Sequence, residues 1–184
     1  MVWACIMEGK KGPLLVLEYP GGKGGGMNTT RYCEQVLKCV CVLKDFYDKA
    51  KQEHGRVQFQ QDNVSCHTSK RTKKWFDDHD IPLFYHPPNS PDLSPIEPVW
   101  NELKMIIRHL PHPPTTVEEL KAAVCTAWEE LDVADVDKHI LHMPDRMNYC
   151  HFPGERRSYP LLIFNVDISV PILSNCKKIL RLSL

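Results

Sequence analysis

Two carboxylates in this chain stand where chemistry can be built. Asp62 follows the alternating run Val57-Gln58-Phe59-Gln60, at the point where a strand ends, the position from which α/β sheets usually present functional groups. Glu97 opens a helical pattern at the end of the segment 86–98, whose five prolines make it a stiff, extended loop. Thirty-four residues separate the two, enough for one helix and one strand to return the chain to the same sheet edge. Paired acidic oxygens of this kind can hold Mg²⁺ or Mn²⁺, which prefer carboxylate and water ligands. Two such ions would activate a nucleophilic oxygen and stabilise the leaving oxygen in phosphodiester transfer. Plainer roles fit the same residues. Asp62-Asn63 is an ordinary turn signal, and Glu97, three residues after Ser94, is spaced as a capping-box partner. Residue type and spacing leave both readings open.

The elements that must position this pair are short. Val2 to Met7 (V-W-A-C-I-M) reads as a strand, Gly9 to Gly12 as a turn and Leu14 to Glu18 as a second strand, together a hairpin. A chain that starts inside a core strand reads as truncated. The loop P-G-G-K-G-G-G (20–26) fits neither the dinucleotide nor the P-loop phosphate pattern, since Gly24 follows Lys23. Asn28 can cap a single helix carrying Tyr32, Val36, Cys39, Val40, Leu43, Phe46, Tyr47 and Ala50. After the strand Val57 to Gln60, the spacing predicts a helix over Ser69 to Asp78 and a strand over Ile81 to Tyr85. A helix follows from near Ser94 with Trp100, Leu103, Ile106, Ile107 and Leu110 inward. Thr115 or Thr116 with Glu118 or Glu119 offers a capping box for a helix presenting Leu120, Val124, Ala127, Trp128 and Leu131. A last helix covers Val136 to His142. Strands and helices in this order predict an α/β sheet covered by helices.

Composition narrows the function classes. At 184 residues, 42% hydrophobic and 25% charged, the chain is of ordinary globular make-up, which excludes a disordered or collagen-like protein. Lys plus Arg equals Asp plus Glu at 23 each, so bulk charge does not drive binding to nucleic acid, and any such contact must be a local patch. The clearest patch is Lys70, Arg71, Lys73 and Lys74, which either meets phosphate oxygens or forms a solvated helix face. The eight cysteines are dispersed, without a C-x-x-C pair or a preceding signal peptide, and read as reduced intracellular thiols rather than zinc ligands. No apolar run reaches the ~20 residues of a membrane span, so no membrane partner is expected. His67 can orient Asp62, contact a substrate or be structural. His109-x-x-His112 and His139-x-x-His142 lack a supporting ligand pattern, and Trp100 and Trp128 sit on apolar faces as core residues.

The wording of two segments carries more than their spacing. Q-Q-D-N-V-S-C-H-T-S (60–69) and Y-H-P-P-N-S-P-D-L-S-P-I-E-P-V-W-N-E-L-K (85–104) closely resemble the catalytic core of mariner-type transposases, the cut-and-paste branch of the DDE/D superfamily. The likeness extends over roughly residues 1–150, from V-W-A-C-I to H-M-P-D-R-M (142–147). It implies a partial ribonuclease H-like catalytic domain over 1–150, an α/β fold with a mixed sheet flanked by helices. Asp62 becomes the second catalytic and metal-binding carboxylate and Glu97 the third. The implied cofactors are two Mg²⁺ or Mn²⁺ ions. In the family, water attacks a phosphodiester at the transposon end and the freed 3′-hydroxyl then attacks target DNA. Here Lys70, Arg71, Lys73 and Lys74 would hold the DNA backbone, weakly and without base readout. The family's first carboxylate lies on the strand before V-W-A-C-I, to which no residue maps, so the first strand is expected to be missing and the chain inactive as given. The alternative is a non-catalytic nucleic-acid-binding or oligomerisation remnant. In a eukaryote the place of action is the nucleus.

Residues 151–184 depart from the family. Their run L-L-I-F-N-V-D-I-S-V-P-I-L either packs poorly and promotes self-association, as an unpaired apolar strand does, or pairs with the sheet edge left open by the missing strand.

Overall fold

The apolar run Val2–Met7 forms strand β1, and all six of its residues are buried. Val2, Ala4 and Ile6 belong to one hydrophobic cluster and Trp3, Cys5 and Met7 to another. The run has no polar alternation because a strand covered on both faces needs apolar side chains on both. Strand β2 (Lys10–Val16) returns antiparallel to it. The turn between them uses Gly9 at φ +76°, a left-handed conformation that costs glycine little. The register slips between Ala4 and Ile6. Gly12 packs against that bulge so closely that a Cβ there would lie 2.8 Å from the Cys5 carbonyl oxygen. This computed structural model describes residues 1–18, 25–38, 40–143, 145–146 and 161–168, with the backbone alone at 40–42, 161 and 165–168.

Asn28 caps helix α1 (Thr29–Tyr32), its side chain accepting a hydrogen bond from the Arg31 N–H at 3.0 Å. The single long helix expected here is interrupted. A π-helical turn spans Cys33–Leu37, closed by Lys38 N–H to the Cys33 carbonyl at 2.7 Å, and helix α2 (Val40–His54) follows. A π turn takes in an extra residue, which re-phases the apolar face from Val36 and Leu37 to Leu43, Tyr47 and Ala50. Then come β3 (Val57–Gln60), α3 (Ser65–Thr68), α4 (Lys70–Asp78) and a two-residue strand β4 (Leu83–Phe84), shorter than the strand anticipated over Ile81 to Tyr85. Helix α5 (Ile96–Arg108) starts two residues later than the sequence suggests, after a 3₁₀ turn at Pro91–Leu93. Thr116 and Glu119 form the complete capping box of α6 (Val117–Glu130), and Asp132 caps α7 (Val133–Leu141).

The sheet closes on the C-terminal segment. Strand β5 (Leu161–Ile168) lies at its centre, in the order β2-β1-β5-β3-β4. It runs antiparallel to β1, with Val2 opposite Ile168 and Trp3 opposite Asp167, and parallel to β3, with Gln60 opposite Phe164. Of the two expectations for the tail, residues 161–168 follow the second and fill the open edge; 147–160 and 169–184 lie outside the described residues. Leu162 and Phe164 join the cluster under α5, α6 and α7, while Ile163 joins the one under α1, α2 and α4. The result is three layers, a mixed five-stranded sheet between two sets of helices. That is the α/β arrangement expected of a ribonuclease H-like domain. Trp100 and Trp128 are both core residues, with ring centroids 6.0 Å apart. Among the described residues, no helix is long and apolar enough to cross a membrane.

Candidate active site

Asp62 stands two residues past the end of β3, where the chain leaves the sheet. Its Oδ1 accepts a hydrogen bond from His67 Nδ1–H at 2.6 Å and another from the Val64 N–H at 3.3 Å. The second bond is an Asx turn, so the turn role read from Asp62-Asn63 is real and coexists with the acidic site. Oδ2 accepts no hydrogen bond among the described residues. The short helix α3, which the sequence reading missed, brings His67 round. Its side chain is wholly buried, while that of Asp62 retains 26% exposure. Burial pushes the Asp62 carboxyl up, but the His67 hydrogen bond and charge, the Val64 N–H and the nearby His86 together hold it below the ordinary carboxylate range.

The proline-rich segment reaches Glu97 through two tethers at the end of β3. Gln60, 2% exposed, donates from Nε2 to His86 Nδ1 at 2.8 Å and to the Leu93 carbonyl at 2.9 Å. Asn63 Nδ2 donates to the His86 carbonyl at 2.6 Å. Burial lowers the His86 pKa against the opposing charges of Asp62 and Asp92. Pinned at both His86 and Leu93, the loop delivers the first turn of α5. Glu97 does not act as a capping-box partner. The N-cap position falls on Pro95, which makes no side-chain cap, and the Glu97 N–H bonds the Ser94 carbonyl at 3.2 Å.

Glu97 feels the charge of Asp62. Glu97 is half-buried, and burial raises its pKa; the Asp62 charge raises it further, while Lys104, two turns along α5, opposes both. Burial and the Asp62 charge both disfavour an ionised Glu97, a penalty that a divalent cation would relieve, and hard oxygen donors suit Mg²⁺ or Mn²⁺. The residues present therefore fit such an ion. Among the described residues no group of three or more His, Cys, Asp or Glu side chains is arranged to hold a metal.

The basic stretch lies on α4, which directly follows the short helix carrying His67. Lys70, Arg71, Lys73 and Lys74 are all exposed on α4. Arg71 Nη1 donates to Thr30 Oγ1 at 3.4 Å, and Lys74 pairs with Asp78 at 2.8 Å. Sequence reasoning overlooked Gln60, His86 and Lys104. Lys104 could have been found, since seven residues from Glu97 on a helix is the same face. Gln60 and His86 carried no signal, because their contact depends on how the loop returns to β3.

The family model described as DDE superfamily endonuclease matches residues 28–121. The transposable element Tc3 transposase of Caenorhabditis elegans is 32% identical over 149 residues, covering 80% of this chain and 41% of the relative. The Tcb1 transposase of Caenorhabditis briggsae is 29% identical over 161 residues, 87% of this chain and 53% of the relative. The chain thus spans about half the length of the transposases it matches. Among solved structures, the catalytic domain of Mos1 mariner transposase superposes with a TM-score of 0.64 at 20% identity, over 82% of this chain and 71% of that one. The same domain with raltegravir and Mg gives the same score. The family match across the span that holds both carboxylates gives the assignment, and the likeness in fold to the Mos1 domain accords with it: the chain belongs to the DDE superfamily endonucleases and is similar in sequence to the Tc1 and Tc3 transposases.

Proposed function

We propose that this chain is the catalytic-domain portion of a cut-and-paste DNA transposase, with Asp62 and Glu97 as its divalent-cation ligands. The observation that carries the reading is the acidic pair itself: a carboxylate fixed at the end of β3 and a second, half-buried one that feels its charge. When bound, Mg²⁺ or Mn²⁺ supplies charge neutralisation at a phosphodiester and lowers the pKa of a bound water. Asp62 and Glu97 would hold it. Lys104, whose charge acts on Glu97, would meet a phosphate oxygen, and Lys70, Arg71, Lys73 and Lys74 would track the DNA backbone. Backbone contacts of this kind are weak, sequence-independent and salt-sensitive. DNA is the proposed partner, and the nucleus the proposed place of action in a eukaryotic cell.

A second reading, a nucleic-acid-binding module that keeps the fold without the chemistry, is favoured by one observation: no third ligand joins the pair among the described residues. Two carboxylates leave a pair of ions under-coordinated, and misplacement of reacting groups costs ~100-fold or more in rate. Calorimetric titration of the full chain with Mn²⁺ tests the first reading, with binding expected in the native chain and lost in Asp62→Asn and Glu97→Gln. Incubation with transposon-end DNA and Mn²⁺ separates the two. No cleavage is expected of the chain alone, and site-specific cleavage that disappears in Asp62→Ala would overturn that expectation.

A further inference from the structure

We infer that His67 is the positioning residue of the acidic site, fixing which oxygen of Asp62 faces a cation; this rests on the cation-binding reading given above. Two donors, His67 Nδ1–H at 2.6 Å and the Val64 N–H at 3.3 Å, converge on Oδ1 of Asp62. With Oδ1 occupied twice, the carboxylate cannot rotate without breaking its shortest bond, and Oδ2 becomes the oxygen presented outward. Exposure separates the two partners: the His67 side chain is wholly buried, whereas Asp62 reaches solvent. Contact with a substrate, one role open to His67 from its sequence position, is therefore excluded, and His67 acts through Asp62.

The imidazole is itself clamped. Its ring lies 4.5 Å, centroid to centroid, from that of fully buried Tyr32, tilted by 57°. The Tyr32 hydroxyl donates to Gln61 Oε1 at 3.1 Å, and Gln61 Nε2 reaches the His67 carbonyl at 3.4 Å. Tyr32, Gln61 and His67 thus close a ring of contacts around the residue that grips Asp62. A helix of the second layer, α1, is by this route coupled to the tip of β3. The geometry accounts for the residue type. An imidazole Nδ1 hangs from the γ carbon, close to the backbone, and reaches Oδ1 from α3 while the ring lies against Tyr32.

Outer partners that orient a metal ligand typically contribute 10–100-fold in affinity. Mn²⁺ affinity of the full chain, read by calorimetry and by the loss of the free-ion electron paramagnetic resonance signal, tests this. His67→Asn places an amide N–H near the Nδ1 position and is expected to keep affinity within about threefold of native. His67→Gln and His67→Ala, which put no donor there, are expected to lose about 10–100-fold. All three variants lose the packing against Tyr32, so a residue that only fills space would depress Asn and Gln alike. Circular dichroism at the titration temperature confirms that each variant is folded. Equal affinity in His67→Gln and the native chain, or equal loss in His67→Asn and His67→Gln, overturns the positioning role while leaving the cation-binding reading standing. Absence of Mn²⁺ binding by the native chain overturns both.

Discussion

Ile163 is the residue by which the central strand can be put to the test. It is 0% exposed, sits in the ladder opposite Phe59, and packs among the side chains that α1, α2 and α4 contribute beneath the sheet. Truncating a side chain so placed removes its transfer free energy and leaves a cavity, a loss of about 2–5 kcal/mol for Ile→Ala and about 0.5–1.5 kcal/mol for Ile→Val. Against a total stability of about 5–15 kcal/mol for a domain of this kind, Ile163→Ala should be severe. With a urea slope of about 1–3 kcal/mol/M, the unfolding midpoint should fall by roughly 1–2 M. Trp3, on the neighbouring strand β1 and fully buried, reports the transition by fluorescence. Leu141→Ala is the control: Leu141 is 60% exposed, and its truncation should stay within about 0.5 kcal/mol of native. A graded series, Ala far below Val and Val just below native, is the expected result. A midpoint for Ile163→Ala no lower than that of Leu141→Ala would show that residues 161–168 do not build the sheet, and the assignment of β5 would fall.

Glu97→Gln should stabilise the cation-free chain near pH 7. Burial raises the Glu97 pKa in the folded state, so its contribution to stability is complete below the unfolded value of about 4.3 and is lost as pH rises through the folded one. Thermal melts in chelator should show the variant's advantage vanishing in acid, and an advantage that persists there would contradict the burial account. Asp62→Asn should destabilise, by about 1.5–3 kcal/mol for a charge-assisted bond, with the deficit shrinking as pH falls through the lowered Asp62 pKa; a deficit independent of pH would refute it. Gly12→Ala drives a Cβ against the Cys5 backbone and should cost about 1–3 kcal/mol; removing the thiol in a Cys5→Ala background should leave most of that cost, since the carbonyl remains. In the folded chain a maleimide should modify exposed Cys125 far faster than Cys5, Cys33 or Cys66, all buried. Burial pushes the Cys5 thiol pKa up, and mass mapping that found Cys5 labelled first would contradict it.

What could be read from the sequence was local. The hairpin of Val2 to Met7, the Thr116–Glu119 box and the Asn28 cap each involve residues a few positions apart, and each forms. Asp62 was legible because a strand ending in a polar triplet announces a sheet edge. Glu97 was legible as a carboxylate behind a stiff loop, but not the tethers from Gln60 and Asn63 that aim the loop. The π turn at Cys33–Leu37 was hidden because its apolar residues still fall at helical spacings on either side of the phase change. The slot taken by β5 was the least legible feature. Its partners Val2 and Val57 lie far away in sequence, and register over such distances is set by burial on both faces, which no local pattern specifies.

The position of β5 also bears on how the protein is made. Val2 pairs with Ile168, so β1 leaves the ribosome well before the strand that comes to lie beside it. At about 5–20 residues per second the interval is on the order of 8–30 s. Throughout it β1 offers one apolar, unpaired border, and β3 another. Nascent chains in that state are open to pairing with each other, the usual fate of long-lived strand edges. Synthesis on crowded polysomes should therefore favour intermolecular strand exchange, and a chaperone that covers extended apolar segments should raise the yield of monomer more than it raises the yield of protein.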